Sequence, residues 1–172
     1  LTLRLPAPPA GAVLEPVPKN AAAGEPLAPE RSLPSLRVLV VDDDEFNVAF
    51  MHHALPSPPL EVSSAINGRA GVDAARAHPP DVVFMDIEMP VMNGFDALAH
   101  IRMIEAQAGR PRSTVVAFSS YDDEAIRRRC REAGFDAYLS KPATRERIHE
   151  ILHAVASGNG VPGFSVGVAR DV

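Results

Sequence analysis

Hydrophobic residues along this chain fall into five short runs separated by longer segments of mixed polarity. The strongest runs combine Val, Leu, Ile and Phe and end abruptly at acidic or hydroxyl residues. Short, continuous apolar runs of this kind are typical of β-strands that are buried on both faces. The sequence therefore predicts five strands, at residues 36–41, 60–65, 82–85, 115–118 and 135–140.

The segments that follow the runs show the spacing of apolar positions expected for amphipathic helices. In the third segment, Phe95, Leu98, Ile101 and Ile104 recur at intervals of three residues. Proline and glycine residues end several of these segments, because neither residue favours a helix interior. We predict helices at residues 45–55, 68–78, 94–107, 122–133 and 144–156.

Five strands that alternate with five helices predict an α/β fold of the (βα)5 type. The expected architecture is a doubly wound parallel sheet of five strands with helices on both faces. Right-handed crossover connections bring the carboxyl ends of all the strands to one edge of such a sheet. Ligands and reactive groups are usually found at that edge.

Polar residues follow four of the five predicted strands directly. Asp42, Asp43 and Asp44 follow the first strand, and Asp86, Ser119 and Lys141 follow the third, fourth and fifth. An isolated Asp at the position of Asp86 is equally consistent with a simple turn residue, a metal ligand or a nucleophile.

The three consecutive acids place more negative charge at one strand end than helix capping needs. A cluster of carboxylates is charged at neutral pH and repels itself unless a cation lies between the groups. Mg²⁺ suits such a cluster because it prefers oxygen ligands and is commonly held by one or two carboxylates together with phosphate oxygens. Asp86 could then attack a phosphoryl group, while Ser119 and Lys141 contact its oxygens.

Composition narrows the partners and the compartment. The 172 residues carry 17 basic and 22 acidic side chains, a net charge of −5, which predicts no general affinity for nucleic acid or for anionic membranes. No apolar run approaches the length of a membrane span. The single cysteine, Cys130, cannot form an internal disulfide, so a cytoplasmic location is expected, although a parent protein could be membrane-anchored.

Three smaller features invite alternative interpretations. The adjacent His52 and His53 are expected to be exposed helix residues. The arginines at residues 127–129 and 131 follow acidic residues 122–124, which favours a solvated helix face over a nucleic-acid patch. Cys130 is expected to be a small buried residue.

The ends of the chain differ from its centre. Eight of the 17 prolines fall within the first 34 residues, so we predict a Pro/Ala-rich linker at 1–35, a folded domain at 36–156 and a tail at 157–172. Because the chain starts with Leu1 and not Met, we expect it to be part of a longer protein. Residues 1–6 alternate in polarity like the end of a β-strand.

Four segments together resemble the receiver domain of two-component response regulators. They are VLVVDDDEFN at 38–47, DVVFMDIEMPVMNG at 81–94, VVAFSS at 115–120 and YLSKP at 138–142. The resemblance covers residues 36–156 and implies a flavodoxin-like fold with strand order 2-1-3-4-5. It also implies a domain that accepts a phosphoryl group from the phosphohistidine of a histidine kinase or a histidine phosphotransfer domain and then changes conformation.

The same resemblance implies specific roles for residues of this sequence. Asp86 would be the phosphoacceptor, and Lys141 and Ser119 would contact the phosphoryl group. Tyr138 and Ser119 would form the conformational switch, and the Lys141-Pro142 peptide would be cis. Mg²⁺ would be bound by Asp42, Asp43, Asp86 and the backbone carbonyl of Glu88.

The connection at 109–114 is of the length associated with hybrid histidine kinases, and residues 1–6 resemble the end of a kinase ATP-binding domain. The chain is therefore expected to be the receiver of a hybrid histidine kinase, whose kinase domains would be intramolecular partners. Two alternatives remain open at this point. One is a Mg²⁺-dependent phosphatase of the haloacid-dehalogenase type, and the other is a receiver-like interaction module that is never phosphorylated.

Overall fold

The computed structural model of the protein describes residues 35–162. Nearly all of the predicted linker at 1–35, including the strand end expected at 1–6, lies outside the described residues. So do residues 163–172 of the predicted tail. The predictions for these segments are therefore not tested by the structure.

The described residues form five strands and five helices in strict alternation, and every boundary lies within two residues of its predicted position. The strands are β1 (Arg37–Val41), β2 (Glu61–Ala65), β3 (Val82–Asp86), β4 (Thr114–Ser119) and β5 (Ala137–Ser140). The helices are α1 (Glu45–Ala54), α2 (Gly68–Ala77), α3 (Gly94–Gln107), α4 (Glu124–Ala133) and α5 (Arg145–Ala156).

The five strands form one parallel sheet in the order β2-β1-β3-β4-β5, which confirms the predicted fold. Strand β3 lies at the centre and is buried along its whole length. In register across the sheet, Asp86 at the end of β3 pairs with Phe118 of β4, and Ser119 pairs with Ser140 of β5. The residues after β1, β3, β4 and β5 therefore meet at one edge of the sheet, which we call the carboxyl edge.

Alternate residues of the strands face opposite sides of the sheet, which divides the core into two clusters. Met85 belongs to the cluster covered by α2, α3 and α4, whereas its neighbour Phe84 belongs to the cluster covered by α1 and α5. Burial on both sides explains why β3 is continuously apolar and not alternating.

Side-chain caps fix the start of every helix. In each case the residue before the helix accepts a hydrogen bond from a backbone N–H of the first turn, which would otherwise lack a partner. The five capping residues are Asp44, Asn67, Asn93, Asp123 and Thr144. Helix α4 ends at Gly134, whose φ of 94° is readily accessible only to glycine.

A polar network joins helix α3 to the amino ends of β4 and β5. The carboxylate of Glu105 accepts hydrogen bonds from the backbone N–H and the hydroxyl of Ser113, at 2.8 and 2.6 Å. Arg102 donates to Glu105 at 2.9 Å and to Asp136 at 2.7 Å. Burial raises the pKa of Glu105, but the hydrogen bonds from Ser113 and Arg102 outweigh it, so the pKa is lowered overall.

The start of β1 and the end of α5 both lie at the edge opposite the carboxyl edge. The carbonyl of Leu36, just before β1, accepts a hydrogen bond from Glu61 at the start of β2. Leu36 lines one groove together with Val155 and Ala156 at the end of α5. Both ends of the folded unit therefore lie at this amino edge.

Among residues 35–162, no helix has both the length and the apolar character needed to cross a membrane.

Candidate functional site

Four strands deliver polar side chains to the carboxyl edge, as the sequence predicts. Asp42 follows β1, Asp86 is the last residue of β3, Ser119 is the last residue of β4, and Lys141 follows β5. The Lys141-Pro142 peptide is cis, in agreement with the resemblance. The side chains of Asp42, Asp86 and Lys141 are in direct contact.

Asp42 is fully buried, with 0% of its surface exposed. Its Oδ1 accepts hydrogen bonds from the backbone N–H of Asp44 at 3.0 Å and from Nδ2 of Asn47 at 3.1 Å. These two donors fix the orientation of the carboxylate. Its other oxygen, Oδ2, consequently points into the site.

Lys141 bridges two of the acids. Its Nζ lies 2.7 Å from Oδ2 of Asp42 and 2.7 Å from Oδ2 of Asp86. The same ammonium lies 4.8 Å from the centre of the Phe118 ring, a favourable distance for a cation–π interaction. The lysine is therefore held by both carboxylates and by the aromatic side chain under it.

Asp86 is largely buried, with 8% of its surface exposed. Its Oδ1 accepts a hydrogen bond from the backbone N–H of Glu88 at 3.2 Å, and its Oδ2 accepts one from Lys141. Burial raises the pKa of Asp86 because it disfavours the charged carboxylate, and the contact with Lys141 offsets only part of this effect.

The loop after Asp86 returns very close to the strand. The backbone N–H of Gly94 donates to the carbonyl of Ile87 at 2.9 Å. A Cβ atom at residue 94 would lie 2.2 Å from the backbone oxygen of Asp86, closer than any real Cβ contact. Residue 94 is therefore a glycine because no side chain fits between it and the backbone of Asp86.

One carboxylate oxygen from each of Asp42, Asp43 and Asp86 lies within 4.8 Å of the others. Oδ2 of Asp42 is buried and accepts no hydrogen bond of acceptable geometry, although the charge of Lys141 is close to it. Three carboxylate oxygens this close together, one of them buried, fit a hard divalent cation. Asp44, the third of the acids that follow β1, caps α1 with its side chain.

The hydroxyl side of the site consists of Ser119 and two tyrosines. The Oγ of buried Ser119 accepts a hydrogen bond from the backbone N–H of Tyr121 at 3.2 Å. Tyr138 is also buried, and its hydroxyl donates to the backbone carbonyl of Tyr121. Burial raises the pKa of the Tyr138 phenol. Both predicted switch residues thus contact the backbone of Tyr121.

Two expectations about the remaining polar residues are confirmed, and one is partly wrong. His52 and His53 are exposed and Cys130 is buried, as predicted. The solvated face predicted for the α4 arginines does not include Arg127, which is 7% exposed. Arg127 is drawn inwards because its guanidinium pairs with Asp122 and lies 4.7 Å from the centre of the Tyr138 ring.

Sequence reasoning did not identify the supporting roles of Asn47 and Phe118. Asn47 orients Asp42, and Phe118 lies under Lys141. The position of Asn47, five residues after Asp42 and in the first turn of α1, is a weak signal for this contact. Phe118 belongs to an apolar run, and nothing in the sequence distinguishes it from an ordinary core residue.

Comparison with known proteins agrees with this geometry. The family model for the response regulator receiver domain matches residues 38–153. This match assigns the chain to the receiver domains and not to the haloacid-dehalogenase-type phosphatases. Hybrid signal transduction histidine kinase L of Dictyostelium discoideum is 33% identical over 67% of this chain and 7% of its own length. Virulence sensor protein BvgS of Bordetella bronchiseptica is 35% identical over 85% of this chain and 12% of its own length.

The chain therefore spans only about a tenth of the length of these relatives. Among solved structures, the CheX-CheY-BeF₃-Mg²⁺ complex of Borrelia burgdorferi includes a chain that is 26% identical, with a TM-score of 0.60. The match covers 71% of this chain and 87% of that one. From the family match, the parallel sheet and the acid–lysine cluster at its carboxyl edge, we conclude that this chain belongs to the response regulator receiver domains of two-component and phosphorelay signalling.

Proposed function

We propose that Asp86 is the phosphoacceptor of this receiver and takes a phosphoryl group from a phosphohistidine in the presence of Mg²⁺. The observation that carries the proposal is the position of Lys141 Nζ, 2.7 Å from an oxygen of Asp42 and 2.7 Å from an oxygen of Asp86. An ammonium between two buried carboxylates marks a site that is built to balance negative charge. A phosphoryl group and a divalent cation would both use that balance.

In this proposal Asp42, Asp43, Asp86 and the backbone carbonyl of Glu88 hold Mg²⁺. The mutual proximity of the three carboxylates supports the assignment. So does the Borrelia complex, whose description includes both BeF₃ and Mg²⁺. When bound, the cation would neutralise charge on the oxygens of the transferring group.

Asp86, Lys141 and Ser119 have separate roles in the phosphoryl transfer. An oxygen of Asp86 forms a bond to phosphorus as the bond from phosphorus to the donor imidazole nitrogen breaks, and the product is an acyl phosphate and a free imidazole. The ammonium of Lys141 exchanges its contact with the Asp86 carboxylate for a contact with an oxygen of the phosphoryl group. The hydroxyl of Ser119 donates to another of these oxygens.

Ser119 and Tyr138 would carry the signal away from the site. A hydroxyl that turns towards the phosphoryl group gives up its hydrogen bond from the Tyr121 backbone. Tyr138 donates to the carbonyl of the same residue, so the β4–α4 connection is shared by both switch residues. Phosphorylation would thereby bias the arrangement of β5 and α4 between two states.

Exposed apolar residues surround the acid cluster and suggest where the phosphodonor docks. Phe46, Ile66, Val91 and Tyr121 all lie shortly after the carboxyl end of a strand, and Phe46 and Val91 are 86% and 82% exposed. Val91 also has a φ of 71°, an unusual conformation for a β-branched residue that is often found at functional sites. A helical histidine kinase or histidine phosphotransfer domain with an apolar patch around its histidine would suit this face.

We also infer that the chain is the receiver of a hybrid histidine kinase, with kinase domains in the same polypeptide. The match to Dictyostelium hybrid kinase L supports this inference. The division into a linker at 1–35, a receiver at 36–156 and a tail at 157–172 belongs to the same proposal, as do a cytoplasmic location and a membrane-anchored parent protein.

Incubation with a small-molecule phosphodonor and Mg²⁺, followed by intact mass measurement, tests the phosphoacceptor assignment. We expect one phosphoryl adduct in the wild type and none in Asp86→Asn. Asp81→Asn is the matched control, because Asp81 flanks the opposite end of β3 and pairs with Arg37 at the amino edge. An adduct that persists in Asp86→Asn would refute the assignment.

The same experiment tests the remaining alternative. A receiver-like interaction module that is never phosphorylated would give no adduct in any variant. Titration of Mg²⁺ against Asp43→Asn tests the metal site, and we expect the affinity to fall by at least tenfold. An unchanged affinity would remove Asp43 from the ligand set.

A further inference from the structure

Helix α4 is held on the sheet in an unusual way. Its sequence EAIRRRCREA is dominated by charged residues, and its two buried residues are Arg127 and Cys130. Ile126 adds a partly buried side chain to the core. The apolar surface that normally fixes a helix is therefore small, and polar contacts must contribute to its position.

Arg127 makes the most buried of these polar contacts. Its Nε donates to Oδ1 of Asp122 at 2.7 Å, and its Nη2 pairs with the same oxygen. The centre of the guanidinium lies 4.7 Å from the centre of the Tyr138 ring. The arginine thus joins Asp122, two residues before α4, to the aromatic ring on β5.

The Tyr138 side chain is contacted at its hydroxyl and on the face of its ring. The hydroxyl donates to the backbone carbonyl of Tyr121, and Arg127 covers the face. The backbone N–H of Tyr121 also donates to the Oγ of Ser119 at 3.2 Å. A continuous series of contacts therefore runs from Ser119 to Arg127.

A second arginine stack lies on the other flank of α4. The guanidinium of Arg129 lies 4.3 Å from the centre of the Phe95 ring on α3, and Phe95 packs edge-to-face against Phe135 with ring centres 5.7 Å apart. Arg129, Phe95 and Ile126 also line a groove beside the helix. An arginine on each flank of α4 thus contacts the face of an aromatic ring.

We propose that Arg127 is the positioning residue that holds Tyr138 inside the fold. Asp122 fixes the guanidinium, and the guanidinium fixes the ring. These contacts favour the inward position of the switch tyrosine, and they act whether or not Asp86 carries a phosphoryl group. The meaning of this contact for switching rests on the proposed function of Tyr138. The ring position itself can be measured without phosphorylation.

Fluorine NMR of Tyr138 measures its ring position directly. The chain has two tyrosines, so Tyr121→Phe leaves Tyr138 as the single site for 3-fluorotyrosine and keeps the Tyr121 backbone carbonyl as an acceptor. The shift of the fluorine resonance between H₂O and D₂O reports solvent exposure of the ring. In this background we expect a shift far below that of the urea-unfolded chain.

Arg127→Gln should increase this solvent isotope shift, because it removes the charge that covers the ring. We expect the inward-to-outward ratio to fall by about fivefold, which corresponds to about 1 kcal/mol at 25 °C. Arg127→Lys keeps a positive charge but loses the planar stack, so it should give an intermediate shift. Asp122→Asn, at a half-exposed position, should act in the same direction as Arg127→Gln.

Arg128→Gln is the matched control, because it removes one positive charge from the same helix at an exposed position. It should leave the fluorine shift unchanged. Equal shifts in Arg127→Gln and Arg128→Gln would overturn the proposal. If far-UV circular dichroism shows that Arg127→Gln is unfolded, Asp122→Asn decides, and an unchanged shift in that variant would also overturn it.

Discussion

Replacement of Lys141 by Met should increase the affinity of the acid cluster for Mg²⁺. The ammonium lies 2.7 Å from one oxygen of Asp42 and 2.7 Å from one oxygen of Asp86, so it occupies the position that a cation would share. When ionised, Asp42, Asp43 and Asp86 carry a charge of −3. The ammonium alone reduces this charge to −2, and Mg²⁺ alone would reduce it to −1. Lys141 therefore stabilises the metal-free site more than the metal-bound site, and its loss favours metal binding.

The size of the effect follows from the charges and the dielectric. Two unit charges about 4 Å apart interact by about 4 kcal/mol at an effective dielectric of about 20, and Mg²⁺ carries two charges. The flexible lysine can withdraw from the cation, so only part of this repulsion is realised. We take about 1.4 kcal/mol, a tenfold increase in affinity, as the minimum effect.

Thermal unfolding over a series of Mg²⁺ concentrations measures this affinity without any phosphodonor. A ligand that binds only the folded state raises stability by RT ln(1 + [L]/Kd), so each variant yields its own Kd. Without Mg²⁺, Lys141→Met should be less stable than the wild type by about 3 kcal/mol, because two buried carboxylates lose their partner. A small excess of Mg²⁺ should restore much of this loss.

Arg145→Gln provides the control for net charge. It removes one positive charge at the start of α5, where the arginine donates to the carbonyl of His53 and not to the acid cluster. Its Mg²⁺ affinity should match that of the wild type. If Lys141→Met binds Mg²⁺ no more tightly than the wild type, the ammonium does not compete with the cation and our account of the site is wrong.

Two further predictions concern folding around the site and at the opposite edge. Gly94→Ala should lower the free energy of unfolding by about 3 kcal/mol and reduce phosphorylation, because its Cβ would clash with the backbone of Asp86; urea unfolding within 0.5 kcal/mol of the wild type would contradict this. Glu105→Gln should lower the free energy of unfolding by about 2 kcal/mol at neutral pH, because it weakens the hydrogen bonds from Ser113 and Arg102. The pKa of Glu105 is lowered in the folded state, so its contribution is present above the unfolded pKa and disappears as the pH falls through the folded pKa. Urea unfolding should therefore show a smaller difference between variant and wild type at about pH 3 than at about pH 7, and an equal difference would refute the linkage.

The sequence predicted the fold almost completely because four of the five strands, β1, β3, β4 and β5, are buried along most of their length. A run such as Val82–Asp86 cannot be mistaken for an amphipathic element, and its abrupt end at an acid locates the carboxyl edge. Topology then brings Asp42, Asp86 and Lys141 together, since connections in parallel sheets are right-handed. The contacts among these three residues follow from strand ends and not from any local pattern.

Other contacts lay beyond sequence reasoning. Arg127 was expected in solvent because the arginines of α4 form one continuous basic segment, yet a ring eleven residues later draws it inwards. The network between Glu105 and Ser113 was missed for a similar reason. Glu105 lies four residues after Ile101 on the buried side of α3, and only a partner on a neighbouring loop makes a carboxylate acceptable there. Helical periodicity identifies the buried side, but it does not identify the partner.

The amino edge, where Leu36 and the end of α5 share a groove, has a consequence for the architecture of larger proteins. Leu36 and Ala156, at the two ends of the folded elements, both lie on the side of the sheet remote from Asp86. Attachments at residues near these two positions therefore start far from the reactive edge. A fluorescent protein or an affinity tag fused beyond either end should leave that edge accessible to a docking partner.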